Sequence, residues 1–164
     1  MTEVQWLNED EMRLWRAFLE ASSRVLQQVE ADMKAAADLT FDDYEVLVHL
    51  SETPGRRLRM AELSERLLHS RSRLTQRVDR MTKRGLIERE KCPNDGRGTF
   101  AVLTDTGLEA IASAAPDHLV SVRRALIDIV SPGDIAVLAD RLESIVAASE
   151  TATPKPAPLR PGSN

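Results

Sequence analysis

Hydrophobic residues recur every three or four positions through most of the chain, a pattern that predicts α-helices with one apolar face. The first such stretch covers residues 9–36, and the second begins after Thr40 and stops near Pro54. The Thr40 hydroxyl is suited to cap that second helix, and Asp43 occupies the capping-box position, where Asp is an imperfect substitute for Glu or Gln. Two helices are therefore predicted in the N-terminal third.

Two shorter helices, joined by a tight turn, are predicted next. The first covers residues 60–67 and the second covers residues 71–84. Ser70 is a good N-cap for the second helix, and Gly85 follows it as a typical stop. The segment 57–59, just before this pair, alternates polar and apolar residues and predicts a small edge strand.

A β-hairpin is predicted directly behind the second of these helices. Residues 86–91 and 99–104 have the composition of strands, and the connection between them contains Pro93, Asn94 and two glycines. These residue types favour a hairpin loop because they accept the backbone conformations of tight turns.

Two further helices are predicted in the C-terminal part. One is capped by Thr104 and runs to about Val130, and the other has Pro132 at its first helical position. Residues 151–164 are rich in proline and poor in apolar side chains, which predicts a disordered tail. The predicted fold class is mainly α with a small β-hairpin.

The helix over residues 71–84 has two contrasting sides. Leu74, Val78 and Met81 share one side, which we expect to face the core. The other side is polar and basic, and Arg and Gln are the side chains that bind guanine and adenine edges. A short helix, a turn and a basic helix form a helix-turn-helix, whose second helix enters the major groove. The residues predicted to contact DNA from this helix and its cap are Ser70, Arg71, Ser72, Arg73, Thr75, Gln76, Arg80 and Lys83.

The hairpin has the position of a wing beside that helix. Arg97 lies near its tip, where we expect the guanidinium to enter the adjacent minor groove, whose negative potential attracts it. Asp95 stands two residues earlier and is expected to orient Arg97 by a bidentate pair. Gly96 and Gly98 let the backbone turn there without a steric penalty. Asp95 and Arg97 complete the predicted DNA-contacting set.

The distribution of charge supports a polyanionic partner although the net charge, −4, argues against one. Between Arg56 and Arg97 thirteen Lys and Arg stand against six Asp and Glu, a net charge of +7, whereas the rest of the chain carries −11. A basic middle segment between acidic flanks indicates a DNA-binding surface on an acidic scaffold. The alternative is a solvated face laced with salt bridges.

Composition removes several other classes of protein. A hydrophobic content of 42% with 29% charged residues is ordinary for a globular protein, and the single cysteine excludes an internal disulfide. We expect no signal peptide and no membrane-spanning segment, and therefore a cytoplasmic protein. The sequence shows no phosphate-binding glycine loop, nucleophile elbow or metal-ligand spacing, so neither an enzyme, a metal nor a cofactor is predicted.

Four short motifs follow one another between residues 79 and 107: Asp79-Arg80-Met81, Arg84-Gly85-Leu86-Ile87, Asp95-Gly96-Arg97-Gly98, and Val-Leu-Thr-Asp-Thr-Gly over residues 102–107. Together they resemble the MarR family of winged-helix transcriptional regulators. That family has Asp-Arg-Leu, Arg-Gly-Leu-Val/Ile, Asp-x-Arg and Leu-Thr-x-x-Gly in the same order. Met81 departs conservatively from the usual leucine. The likeness in helix order covers about residues 9–148.

The resemblance implies a homodimer that binds double-stranded DNA at a short palindromic site, usually as a repressor. It implies an N-terminal dimerisation helix region at 1–38, a winged helix-turn-helix lobe at 39–104 and C-terminal dimerisation helices at 105–150. The apolar content of these helices independently predicts a symmetric partner. The residues concerned are Leu108, Ile111, Leu119, Val122, Leu126, Ile129, Leu138, Leu142 and Ile145.

The resemblance also implies release from DNA by a small aromatic or anionic effector held between the dimerisation region and the lobe. The candidate ligand-binding residues are Trp15, Arg16, Tyr44 and His49. Two alternative functions stay open. One is a winged-helix module that docks proteins, which would expose apolar side chains on the outer face of 71–84. The other is a redox-responsive regulator that uses Cys92.

Overall fold

The computed structural model describes the backbone of residues 4–92 and 95–152, and the side chains of 4–92 and 98–149. The chain divides into two compact units, of which the first is Met1–Ala125 and the second begins at Leu126. No helix in the described ranges is long and apolar enough to cross a lipid bilayer. The predicted tail beyond residue 152 lies outside the described residues.

The first unit contains five α-helices and three strands among its described residues. The helices are α1 (Glu9–Ala37), α2 (Phe41–Ser51), α3 (Met60–Arg66), α4 (Arg71–Lys83) and α5 (Asp105–Val122). The strands are β1 (Arg57–Arg59), β2 (Ile87–Cys92) and β3 (Asp95–Leu103), and a 3₁₀ turn (Pro54–Arg56) precedes β1. This is the mainly helical fold with a small hairpin that the sequence predicts.

The three strands form one antiparallel sheet in the order β1-β3-β2. Leu58 on β1 pairs with Ala101 on β3, and Ile87 on β2 pairs with Leu103. A register irregularity lies between Lys91 and Cys92, near the end of β2. The predicted edge strand therefore exists, and it adds a third strand to the hairpin.

Local polar contacts fix where the first two helices begin. Asn8 and Glu11 form a complete capping box at the start of α1. Thr40 caps α2 as predicted, since its Oγ1 accepts from the Asp43 amide at 3.1 Å. The Asp43 side chain does not have the predicted capping-box role. It accepts a hydrogen bond from Arg77 on α4 instead.

The core is aliphatic, in keeping with an aromatic content of 4%. Leu47 and Leu50 on α2 meet Leu63 on α3, Leu74 on α4 and Ile87 on β2, all of them buried. α1 and α5 pack on each other next to this core. Their junction includes Asp32, whose Oδ2 accepts from Ser121 Oγ and from Arg124 Nη2, both at 2.5 Å. Hydrogen bonds from Ser121 and Gln28, with the Arg124 charge, lower the pKa of the Asp32 carboxyl.

The Leu-Thr-Asp-Thr-Gly motif forms the junction between the sheet and α5. Thr104 accepts from the Gly107 amide at 3.0 Å and donates to the carbonyl oxygens of Gly85 and Leu86 at 2.7 and 3.0 Å. A Cβ on Gly107 would lie 2.2 Å from the Leu86 carbonyl oxygen. Only glycine therefore fits against this turn.

The second unit contains α6 (Ile135–Ala152). The prediction that Pro132 opens this helix is wrong by three residues. Ser131–Asp134 forms a turn, closed by the Asp134 amide donating to the Ser131 carbonyl oxygen at 2.8 Å. Gly133 makes helical continuation unfavourable in that turn, so the first helical bond is Leu138 to Asp134, at 2.9 Å.

Two other predicted boundaries also differ. The helix after Thr104 was expected to reach Val130, but α-helical geometry ends at Val122 and gives way to a wider π-helical segment over Arg123–Ile127. The strands extend into the predicted loop, because the ladder continues to Cys92 and Asp95. The glycines between 95 and 99 accept strand geometry as readily as turn geometry.

Candidate nucleic-acid interface

The helix-turn-helix is formed by α3, a four-residue turn and α4. The turn is tight because the His69 amide donates to the Ser64 carbonyl oxygen at 3.1 Å and Ser64 Oγ donates to the His69 carbonyl oxygen at 2.7 Å. Leu68 takes a left-handed conformation at its apex, with φ at 52°. Ser70 then caps α4 by accepting from the Arg73 amide at 3.3 Å. This sequence of contacts sets the angle at which α4 leaves the turn.

α4 separates its residues into two faces, as the helical wheel predicts. Leu74, Val78 and Met81 are buried in the core. The eight residues predicted to contact DNA are all exposed: Ser70, Arg71, Ser72, Arg73, Thr75, Gln76, Arg80 and Lys83. Asp79 lies at the edge of this polar face and is paired with Arg89 of β2 at 3.1 Å. The structure thus places the predicted set on one exposed, cationic helix surface.

A cleft of about 370 Å³ separates the start of α4 from the base of the wing. Three arginines line it, namely Arg59 from β1, Arg71 from α4 and Arg89 from β2. Arg89 also donates to the Thr75 carbonyl oxygen at 3.1 Å, which ties the wing strand to α4. The DNA-contacting set predicted from the sequence does not include Arg59 and Arg89. Their positions in strands beside the predicted basic helix could have indicated them.

Phe100 of β3 supports the basic side chains at the sheet edge. The Arg57 guanidinium carbon lies 4.1 Å from the centre of its ring, and that of Arg59 lies 5.5 Å away. Arg57 also pairs with Glu90 at 3.2 Å. These contacts limit how far the two arginines move from the wing base.

At the wing tip, Asp95 and Arg97 belong to β3, and their side chains fall outside the described residues. Their predicted contacts with each other and with a minor groove therefore stay predictions. The structure places their backbone in the hairpin that follows α4, which is where the prediction needs it.

Arg77 is a buried basic residue that the sequence analysis left unassigned. It lies on the inner face of α4, where its Nη1 donates to Asp43 Oδ1 at 2.8 Å and to Thr40 Oγ1 at 3.1 Å. Its Nη2 pairs with Asp42, which also lies 3.4 Å from Arg73. Two features of the sequence could have indicated this ion pair. Arg77 shares the apolar face of α4 with Leu74 and Met81, and two acids stand at the start of another helix.

The geometry agrees with what comparison with known proteins finds. A family model described as the MarR family matches residues 37–98. The uncharacterised HTH-type transcriptional regulator YkoM of Bacillus subtilis (strain 168) is 31% identical over 123 residues, which is 72% of this chain and 77% of that protein.

Solved structures extend the match to almost the whole chain. AbsC, a MarR family transcriptional regulator from Streptomyces coelicolor, is 40% identical with a TM-score of 0.84, over 90% of this chain and 99% of AbsC. Sco3205, a MarR family regulator from the same organism solved in complex with DNA, is 35% identical with a TM-score of 0.86, over 96% of this chain and 97% of Sco3205.

The chain belongs to the MarR family of transcriptional regulators.

Membership confirms the resemblance, the winged-helix fold class and the prediction of a transcription regulator. MarR family regulators are non-enzymatic DNA-binding proteins, which also confirms the prediction that the chain is not an enzyme. The glycines of two of the motifs have clear structural places: Gly85 follows the end of α4 with φ at 73°, and Gly107 packs against Leu86 and Leu103.

The four candidate ligand-binding residues of this MarR protein lie on two helices. Trp15 and Arg16 are exposed on α1, and Arg16 lines a groove there with Met12 and Glu20. Tyr44 is buried on α2, with its ring centre 4.6 Å from that of His118 on α5, and His49 is half-buried. Burial raises the pKa of Tyr44 and lowers that of His118. An effector site built from the four stays a prediction.

Proposed function

We propose that this MarR family protein is a sequence-specific DNA-binding repressor that acts as a homodimer on a palindromic operator. The observation that carries the proposal is the exposed face of α4, where eight polar or basic side chains extend from the Ser70 cap to Lys83 in the last turn. In this proposal α4 lies in the major groove, with Arg73 and Gln76 at base edges, and the wing lies in the minor groove.

The dimer is proposed from apolar side chains that lack cover within their own unit. In the first unit Leu14, Leu19 and Leu26 are exposed on α1, as is Leu119 on α5. In the second unit Leu138, Leu142 and Ile145 are exposed on α6. A second copy of the chain supplies the same surfaces by symmetry, and two lobes then meet half-sites about 10 base pairs apart.

The charge of the interface supports DNA rather than protein as the partner. No large apolar side chain is exposed on α4, a helix that lies wholly within the described residues, whereas a protein-docking helix presents such residues. The redox alternative has less support, because the Cys92 side chain is only 4% exposed and a reactive thiol needs access.

The ligand response is also a proposal. Arg16 supplies a cation in the α1 groove, which suits a carboxylate, and Trp15, about 100° round the helix, supplies a nearby fluorophore. Titration with benzoate should change Trp fluorescence and weaken DNA binding in the wild type, and Arg16→Ala should lose the second effect. Since the DNA partner is chromosomal, the proposed site of action is the cytoplasm.

The first test is an anisotropy titration against DNA from upstream of the protein's own gene, with random competitor DNA and a salt series. The proposal predicts tight, competitor-resistant binding that weakens steeply with salt, because each phosphate contact releases counterions. Binding that is equally tight to random DNA would contradict sequence-specific recognition at that site. A titration against a genomic DNA library then identifies an operator elsewhere or excludes one.

A further inference from the structure

Arg77 is the most unusual side chain of α4, because a guanidinium lies on the face that otherwise consists of Leu74, Val78 and Met81. Its side chain is 7% exposed, so it cannot contact DNA directly. Burial of a charge is expensive unless the charge is paired and hydrogen-bonded. The partners of the Arg77 guanidinium therefore indicate the role of this residue.

The partners of Arg77 all belong to the first turn of α2 and its cap. Nη1 binds Asp43 and Thr40 at 2.8 and 3.1 Å, and Nη2 binds Asp42. The apolar stripe of α4 decides which face is buried, but packing without directional bonds does not select one exact rotation. Charge-assisted bonds are directional, so the fork of Arg77 refines both the rotation of α4 about its axis and its position along that axis.

A second contact holds the far end of the same helix. Arg84, just beyond α4, donates from Nη2 to the Asp38 carbonyl oxygen at 2.9 Å, in the turn between α1 and α2. Seven residues separate Arg77 from Arg84, about 10 Å along a helix. Two arginines thus attach α4 to the start of α2 and to the turn before it, at points about two helical turns apart.

The attachment bears directly on the outward face. Arg73 lies one turn before Arg77 and Gln76 lies next to it, so any rotation at 77 moves both. Arg73 also shares Asp42 with Arg77, at 3.4 Å, which limits the directions in which its own guanidinium points. A hydrogen bond to a base edge needs a donor–acceptor distance of about 2.7–3.2 Å and good alignment, so small rotations of α4 affect base contacts more than phosphate contacts.

We propose that Arg77 is a positioning residue that sets the DNA selectivity of α4 through Asp42, Asp43 and Thr40. The inference rests on the proposed function, since it assigns Arg77 a part in reading the operator. A buried ion pair is weak as a source of stability when an apolar residue of similar volume can replace it, but it selects one geometry. The role of Arg77 therefore concerns selectivity for the operator over random DNA.

The test compares Arg77→Met and Arg77→Lys with the wild type. Each is titrated against operator and random DNA, and hydrogen exchange of the α4 amides is measured without DNA. For Arg77→Met we expect about a tenfold loss of operator affinity, a change of less than about twofold on random DNA, and an unchanged salt slope. Arg77→Lys should recover part of the loss, because one ammonium replaces only part of the guanidinium fork.

A third variant tests whether a loss of selectivity results from unfolding rather than from the loss of positioning. Arg77→Met leaves two acids without their main partner, so the triple change Asp42→Asn, Asp43→Asn, Arg77→Met removes the charges together. We expect it to fold and still to lose selectivity. Folded variants with wild-type selectivity would overturn the proposal, as would equal losses on both DNAs.

Hydrogen exchange separates this inference from the proposed function. If the wild type binds operator and random DNA equally, the proposed function has failed, and Arg77 then has no operator selectivity to set. Faster exchange confined to α4 and the first turn of α2 in Arg77→Met supports positioning by Arg77. Exchange that is unchanged there, or raised equally in α1 and α5, overturns it.

Discussion

At the scale of single residues, Gly107 shows how closely α5 approaches the sheet. A Cβ at this position would lie 2.2 Å from the Leu86 carbonyl oxygen and 2.6 Å from Leu103 Cδ1. Backbone cannot move aside as a flexible side chain does, so the strain of any larger residue spreads into the β2–α5 junction. The last residue of the Leu-Thr-x-x-Gly motif is thus fixed by packing.

Gly107→Ala should lower the free energy of unfolding by about 1–3 kcal/mol, the usual effect of overpacking. Urea denaturation followed by circular dichroism measures it. Gly133→Ala is the matched control, because a Cβ there meets no atom within 4 Å. Equal stability of the two variants would contradict the packing account.

His118 predicts how stability depends on pH. Burial against Tyr44 and Phe41 lowers its pKa below the ordinary value of 6.5, so the unfolded chain binds this proton more readily than the folded chain. Its contribution to the free energy of unfolding is therefore fully present above pH 6.5 and decreases as the pH falls towards the folded pKa.

Denaturation between pH 7 and 5 should thus show that the free energy of unfolding of the wild type decreases as the pH is lowered. The decrease should be smaller in His118→Gln. A slope in His118→Gln as steep as in the wild type would show that other groups cause it.

Residue-level prediction from the sequence worked where one local rule decides, as at the Thr40 and Ser70 caps. It was wrong for the Asp43 side chain, which binds a residue 34 positions away. Periodicity places Arg77 on the buried face but does not supply its partners, because the approach of α2 to α4 is set by tertiary packing. The same limit explains why Arg59 and Arg89 were not singled out.

At the scale of elements, α4 and the wing depend on each other. Arg89 joins β2 to the Thr75 carbonyl oxygen and to Asp79, both at 3.1 Å, so the hairpin and the helix move together. The faces of α4 followed from the sequence, since one apolar stripe suffices to orient it. The start of α6 did not, because proline and glycine fit a turn as well as a helix start. The π-helical turn after Val122 did not either, because its residues Arg123–Ile127 include no helix-breaking type.

The wing prediction concerns Arg97. Arg97→Ala should weaken DNA binding and reduce any preference for A·T-rich flanks, because narrow A·T minor grooves attract a guanidinium most strongly. Anisotropy titration against operators with A·T-rich and G·C-rich flanks measures both effects. Arg13→Ala, an exposed arginine at the start of α1, is the control and should bind like the wild type. Undiminished flank preference in Arg97→Ala would remove the wing from the recognition scheme.

At the scale of the whole molecule, the exposed apolar residues of the two units point to a second copy of the chain. Leu138→Glu together with Leu142→Glu should convert the proposed dimer to a monomer, because charges at such an interface are desolvated without partners. Light scattering after size exclusion measures the mass. The control is Leu68→Glu, whose parent leucine is 93% exposed in the turn before α4. A wild type that is already monomeric at micromolar concentration would contradict the dimer.

The central claim is that the outer face of α4 reads a particular DNA sequence, and the most direct measurement is the ratio of operator to random-DNA affinity for Gln76→Ala. Gln27→Ala, an exposed glutamine on α1, is the matched control. The account predicts that Gln76→Ala loses about 1–3 kcal/mol on the operator and little on random DNA, while Gln27→Ala matches the wild type. Equal losses on both DNAs, or no loss on either, would contradict the claim that this helix face recognises bases.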